Sequence, residues 1–213
     1  MHKLTKFPNF NHLSKMHKDC KAILWDMDGT LLETEHLHTK STQVILSQEH
    51  PEHNLTAEQI DLICYGETDA IILQKFQAKR FLEHINLESF LHLKNTSIKL
   101  LILEMKPSEL IHSEVLRFLN EAQSKKIRQA LVTSSEKETV HNLLSHLKLV
   151  DYFELIITRE DTTENKPSPT PYLHAIESLG LQVHDIIIFE DSDVGLSAAK
   201  DSQAIYCHAC WYD

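Results

Sequence analysis

The 213-residue sequence is poor in the residues that break or staple a chain, with four glycines, six prolines and four cysteines. So little Gly and Pro excludes collagen-like and low-complexity chains, and no repeat of fixed period is visible. Cys20, Cys64, Cys207 and Cys210 make no disulfide framework in a chain this long. Cys207 and Cys210 form a C-x-x-C, but zinc calls for a second pair and a redox motif for a helix after its first Cys, so ordinary thiols are expected. Basic residues are outnumbered 21 to 31, and the net charge of −10 repels a phosphate backbone, so no nucleic acid is expected as partner. No run approaches the roughly 20 apolar residues that span a bilayer, and the Lys-bearing N-terminal segment has no apolar signal core. No membrane partner and a cytoplasmic location are therefore expected.

What the sequence does have is apolar residues, 42% of the total, enough for a sizeable core. Five short runs, Ala22 to Trp25, Ala130 to Val132, Leu155 to Ile157, Ile186 to Phe189 and Ala204 to Tyr206, mostly lack polar alternation and suit strands buried on both faces. Amphipathic segments separate the later runs: Glu136 to Leu147 after a Ser135 cap, Pro169 to Leu179 with Gly180 as the stop, and Val194 to Lys200. Strand and helix in alternation predict an α/β fold, a doubly wound parallel sheet with right-handed crossovers. The stretch between the first two runs is too long for one crossover and carries helical patterning, at Thr34 to Gln48, Thr56 to Cys64, Thr68 to His84 and Leu87 to Glu104. An inserted helical domain over 33–105 accounts for it, with Ser108 to Ser124 leading back into a core made of 21–32 and 106–213. Residues 1–20 read as a mobile arm.

In an open parallel sheet the ligand lies beyond the carboxyl ends of the strands. Those positions hold Asp26, Asp28, Gly29 and Thr30 after the first run, Thr133 and Ser134 after the second, Lys166 beyond the third, and Glu190 and Asp191 after the fourth. Four carboxylates drawn together repel unless some are protonated or a cation sits among them, and an all-oxygen donor set points to magnesium. The hydroxyls and the lysine are then available to hold a phosphate. Ser134, Ser135 and Ser192, taken singly, read as caps of the helices that follow.

DMDGT (Asp26 to Thr30), LVTSS (Leu131 to Ser135), Lys166 in NKPSPTPY and FEDSDVG (Phe189 to Gly195) together resemble, in order and spacing, the four motifs of the haloacid dehalogenase-like hydrolase superfamily. The insertion directly after the first motif is similar to the group with a small helical cap, which includes phosphoglycolate phosphatase and beta-phosphoglucomutase. The resemblance implies a Rossmann-like core and a phosphatase. Asp26 is then the nucleophile that forms an aspartyl phosphate, and Asp28 the general acid and base. Mg2+ is implied as cofactor on the Asp26 carboxylate, the Asp28 carbonyl and Asp191, with Glu190 direct or through water. Thr133, the Ser134 N–H and Lys166 are implied as phosphate ligands. A second Asp at position 28 argues against a true dehalogenase.

Two departures from the family pattern stand out. Motif two reads Thr-Ser where many relatives have Asn second, and the sequence stops soon after the fifth expected strand, which predicts an exposed sheet edge or room for a partner. Within the insertion, Gly66, Thr68 and Asp69 resemble the G-x-T-D signature of small-cap phosphatases, and His38 stands where several sugar phosphatases carry a His; an N-cap role for Thr68 and a surface role for His38 are equally compatible. Asp69 replaces the cap Arg with which the mutase grips a second phosphate. The expected partner is a small phosphorylated metabolite, and the expected assembly a monomer or weak homodimer. A phosphomutase, or a non-catalytic binding protein on the same fold, are the alternatives.

Overall fold

The computed structural model describes residues 2–52, 55–64 and 67–212. Its strands are β1 (His2–Leu4), β2 (Ala22–Trp25), β3 (Arg128–Val132), β4 (Leu155–Ile157), β5 (Ile186–Glu190) and β6 (Ile205–Ala209), and its helices α1 (Phe10–Met16), α2 (Glu35–Glu49), α3 (Ala57–Cys64), α4 (Asp69–Ala78), α5 (Leu87–Glu104), α6 (Ser113–Ser124), α7 (Lys137–Leu147), α8 (Thr170–Ser178) and α9 (Asp193–Asp201). The strands make one sheet in the order β1-β6-β5-β2-β3-β4, every pair parallel. This is the α/β fold that the alternating pattern predicts.

Every residue of β2 and β5 is buried, as a strand covered on both faces requires. Alternation splits their side chains between two layers. Leu24 and Ile188 join Ala130, Tyr172, Ala175 and Ala198 in the core under α8 and α9. Trp25 and Phe189 stack at 4.8 Å and meet Phe118 of α6, at 5.7 Å from Trp25. α8 ends as its sequence predicts: Gly180 takes φ +63°, its N–H donates to Glu177 and that of Leu181 to Ile176, which satisfies the last carbonyls.

The N-terminal segment corrects the expectation of a mobile arm. β1 pairs with β6 in the register His2↔Cys207 to Leu4↔Ala209, so the edge expected to be exposed beyond β6 is covered by the chain's own first strand. Phe10 and Leu13 of α1 are buried, and Phe7 packs against Trp25, Phe118 and Trp211. Burying one such side chain contributes about 1.5–3 kcal/mol, and Leu4, Phe10 and Leu13 together offset part of the cost of ordering the segment, about 1–2 kcal/mol per residue.

The chain divides into two compact units, one ending at Glu33 and resuming at Lys106, the other Thr34–Met105. The second is helical and has its own core, in which Ile45, Ile60, Leu73, Phe76 and Phe90 are buried together and α2 packs on α5. Two helix boundaries differ from expectation. The helix begun at Thr68 stops at Ala78, because Arg80 and Leu82 turn to φ +66° and +55° and the Leu82 N–H is taken by His50 Nε2 at 3.0 Å. α6 begins at Ser113 rather than Ser108, Pro107–Glu109 forming a single 3-10 turn before it. Among the described residues no helix is long and apolar enough to cross a membrane.

Candidate active site

Register places the first two carboxylates. β2 and β5 pair with Trp25 opposite Phe189, and the Asp26 N–H donates to the Phe189 carbonyl at 3.0 Å, so Asp26 and Glu190 leave the sheet side by side at its carboxyl end. Lys166 lies between them, its ammonium 2.6 Å from Asp26 Oδ1 and 2.7 Å from Glu190 Oε1, with its side chain only 3% exposed. The Tyr172 hydroxyl donates to Glu190 Oε1 at 3.2 Å, and its ring lies 4.9 Å from the same ammonium. Glu190 Oε2 accepts from the Ser192 N–H and hydroxyl at 3.0 and 3.2 Å. Both Glu190 oxygens are thus engaged by protein donors.

Burial pushes the Asp26 carboxyl well above its ordinary value, the charges of Glu190 and Asp191 act the same way, and Lys166 opposes them. Burial alone would lower the Lys166 pKa. The negative groups around it, Asp26 first, outweigh that and hold it well above the usual lysine value, so the ammonium stays charged. Tyr172 is pushed up by burial and by Glu190, and remains a neutral donor.

Asp191 is held by the turn that follows β2. Thr30 Oγ donates to Asp191 Oδ1 at 2.9 Å, and Gly29, at φ +73°, runs so close that a Cβ there would stand 2.2 Å from Asp191 Oδ2. Asp26, Glu190 and Asp191 each offer an oxygen within 4.8 Å of the other two. Three buried or half-buried carboxylates with one lysine leave excess negative charge, and an all-oxygen donor set of this kind suits a hard divalent cation.

Asp28 is not one of those three and is partly exposed. Its Oδ2 accepts from the Ser135 hydroxyl at 2.7 Å. This corrects the expectation that Ser135 caps the next helix: α7 begins at Lys137 with Glu136 at its N-cap and no capping side chain, and Ser135 turns to Asp28 instead. Thr133 is buried at the end of β3, its N–H donating to Ile157 and its hydroxyl accepting from the Ser135 N–H at 3.0 Å; Ser134 is exposed. Ser192 is a cap as expected, accepting from the Gly195 N–H, and it binds Glu190 as well.

The remaining expected residues lie in the helical unit. Thr68 is the N-cap of α4, accepting from the Ile71 N–H. Asp69 pairs with the buried ammonium of Lys94, so an acid in place of the cap Arg has an internal partner. The His38 carbonyl accepts from the hydroxyls of Ser41 and Thr42 within α2, and Gly66 lies outside the described residues. All four cysteines are free thiols; burial raises Cys207 to about 12, as expected of an inert thiol. Sequence reasoning missed the site roles of Tyr172 and Ser135. Tyr172 closes the NKPSPTPY motif, six residues past Lys166 and in the first turn of α8, and that spacing was the available signal.

The family model described as haloacid dehalogenase-like hydrolase matches residues 23–208. A phosphorylated carbohydrates phosphatase of Thermotoga maritima is 28% identical over 183 residues, covering 85% of this chain and 81% of that protein. A beta-phosphoglucomutase of Bacillus subtilis is 26% identical over 183 residues, covering 85% and 80%. The crystal structure of CbbY from Rhodobacter sphaeroides in complex with phosphate has a TM-score of 0.73 at 23% identity, covering 91% of this chain and 88% of that one, a likeness of fold. The family match runs from the second residue of β2 to the penultimate residue of β6 and takes in the carboxylate cluster and the helical unit alike: this chain belongs to the haloacid dehalogenase-like hydrolases.

Proposed function

We propose that the chain is a magnesium-dependent phosphatase that hydrolyses a small phosphomonoester through an aspartyl phosphate on Asp26. The observation that carries this reading is the Lys166 ammonium bridging Asp26 and Glu190 in a nearly dry setting, with Asp191 beside them. A carboxylate held there is poorly hydrated and fixed in direction, which favours attack on phosphorus. The names of relatives agree, among them a phosphorylated carbohydrates phosphatase and a phosphoglycolate phosphatase of Aquifex aeolicus that is 27% identical over 194 residues.

In the first step an Asp26 oxygen bonds to phosphorus while the ester P–O bond breaks, and Asp28 gives its proton to the departing alkoxide. In the second, Asp28 takes a proton from water as that water attacks phosphorus, the bond to Asp26 breaks and phosphate leaves. Ser135 orients Asp28 for both transfers. Thr133, the Ser134 N–H and Lys166 hold the phosphoryl oxygens and offset their charge. Asp26, Asp191 and the Asp28 carbonyl would hold Mg2+, with Glu190 supporting directly or through water. The ion supplies charge neutralisation at the phosphoryl group. Choice of leaving group is assigned to the helical unit, through His38, Gly66, Thr68 and Asp69.

The test is phosphate release from a panel of sugar phosphates and small acid phosphates with Mg2+, with Asp26→Asn as blank. Turnover that needs both the ion and Asp26 is expected, and unimpaired turnover by Asp26→Asn overturns the reading. A phosphomutase is the second reading, favoured by the similarity to beta-phosphoglucomutase. Phosphorus NMR of a hexose phosphate separates them, since a mutase moves the phosphoryl group without net release.

A further inference from the structure

The turn after β2 carries Thr30, whose hydroxyl holds Asp191, and the backbone of that turn is itself held from the far end of the chain. The indole N–H of Trp211 donates to the Thr30 carbonyl at 2.9 Å. Thr30 is fully buried. The turn's own backbone bonds run from the Gly29 N–H to the Leu32 carbonyl and from the Leu31 and Leu32 N–H groups to the Met27 carbonyl, and none of them uses the carbonyl of Thr30. The indole is fixed in turn, its ring 4.7 Å from Phe7 and 5.7 Å from Phe189, the residue before Glu190.

We propose that Trp211 is a positioning residue for the divalent-cation site, setting the place of Asp191 through the Thr30 backbone and hydroxyl. This rests on the reading of Asp191 as a cation ligand. The Gly29 backbone runs so close that a Cβ there would stand 2.2 Å from Asp191 Oδ2, and the Thr30 hydroxyl donates to Oδ1 at 2.9 Å, so a shift of the 29–30 backbone moves the carboxylate with it. Thr30 orients the ligand from one bond away, as groups that change metal affinity without touching the metal typically do, and Trp211 acts through Thr30. The neighbouring Tyr212 supplies an internal comparison. Its hydroxyl donates to the Leu31 carbonyl at 3.0 Å, one residue further along the same turn and with no bond to Asp191.

Trp211→Phe keeps an aromatic ring, smaller than the indole, against Phe7 and Phe189 and removes the donor, and Tyr212→Phe removes the matching hydroxyl. Binding of Mn2+ to the substrate-free protein is read from the loss of the free-ion EPR signal, with melting temperature and Trp25 emission as controls of the fold. The Mn2+ dissociation constant is expected to rise roughly tenfold in Trp211→Phe and to stay within about twofold of wild type in Tyr212→Phe. In activity, the Mg2+ concentration for half-maximal rate rises in the first variant while the rate at saturating Mg2+ changes little. Equal weakening in both variants, which is a general loosening of the turn, or unchanged binding in Trp211→Phe, overturns the inference while the phosphatase reading stands. Absence of Mn2+ binding in the wild type overturns the reading of the cation site and the inference with it.

Discussion

Glu190 accepts from four donors, and the space it occupies is kept open by a residue without a side chain. A Cβ at Gly195 would stand 1.6 Å from Glu190 Oε1, and Lys166, Tyr172 and Ser192 leave that carboxylate little freedom to retreat. Gly195→Ala is expected to displace Glu190 and with it Lys166, lowering phosphate release about a hundredfold; assays of the variant beside its melting curve separate this from unfolding. Asp161 offers a second test. Burial tends to raise its pKa, but the Thr158 hydroxyl and N–H and the Lys137 ammonium prevail and hold it below the ordinary value. A depressed folded-state pKa stabilises above the unfolded value of about 3.9, and that contribution is lost as pH falls through the folded value. Asp161→Ala is therefore expected to cost about 1 kcal/mol at neutral pH, with the gap narrowing as the pH is taken below about 3.9, as read from urea unfolding across that range. At this scale the site was legible where chemistry is local. Asp26, Lys166, Glu190 and Asp191 announce themselves by residue type at strand ends, whereas Ser135 looked like a helix cap because its partner, Asp28, lies 107 residues away.

Elements were legible in proportion to how much of their environment their own residues encode. β2 and β5 are apolar throughout because both faces are covered, and their runs stand out. β1 is three residues, His-Lys-Leu, with only Leu4 buried, and no periodicity fits so short an edge strand. The end of α4 was hidden for a related reason: the φ-positive positions are Arg80 and Leu82 rather than Gly or Asn, and the ring of His50, just past the end of α2, holds the turn. The N-terminal segment gives the prediction for this scale. Leu13→Ala is expected to cost about 2–4 kcal/mol in urea unfolding. A chain started at Lys18, which lacks β1, Phe7 and α1, is expected to melt lower and to associate through the uncovered edge of β6, visible by light scattering.

For the whole molecule, the two units carry separate cores, and the only two tryptophans, Trp25 and Trp211, both belong to the sheet unit. Phe90→Ala empties a fully buried position in the helical unit and is expected to remove about 3–5 kcal/mol there. Its far-UV circular dichroism transition should move to lower urea while the tryptophan emission transition holds; coincident shifts of both would show the units unfolding as one. The division was legible because a stretch of helical patterning interrupts the strand series directly after DMDGT. The edge contact was not, since pairing of residue 2 with residue 207 leaves no local trace. That pairing also sets an order of events during synthesis. β1 takes its place beside β6, closing a loop of about two hundred residues whose entropic cost grows with the logarithm of its length. β1 must therefore wait unpaired until β6 has been made, whereas α1 finds Phe118 of α6 well before that.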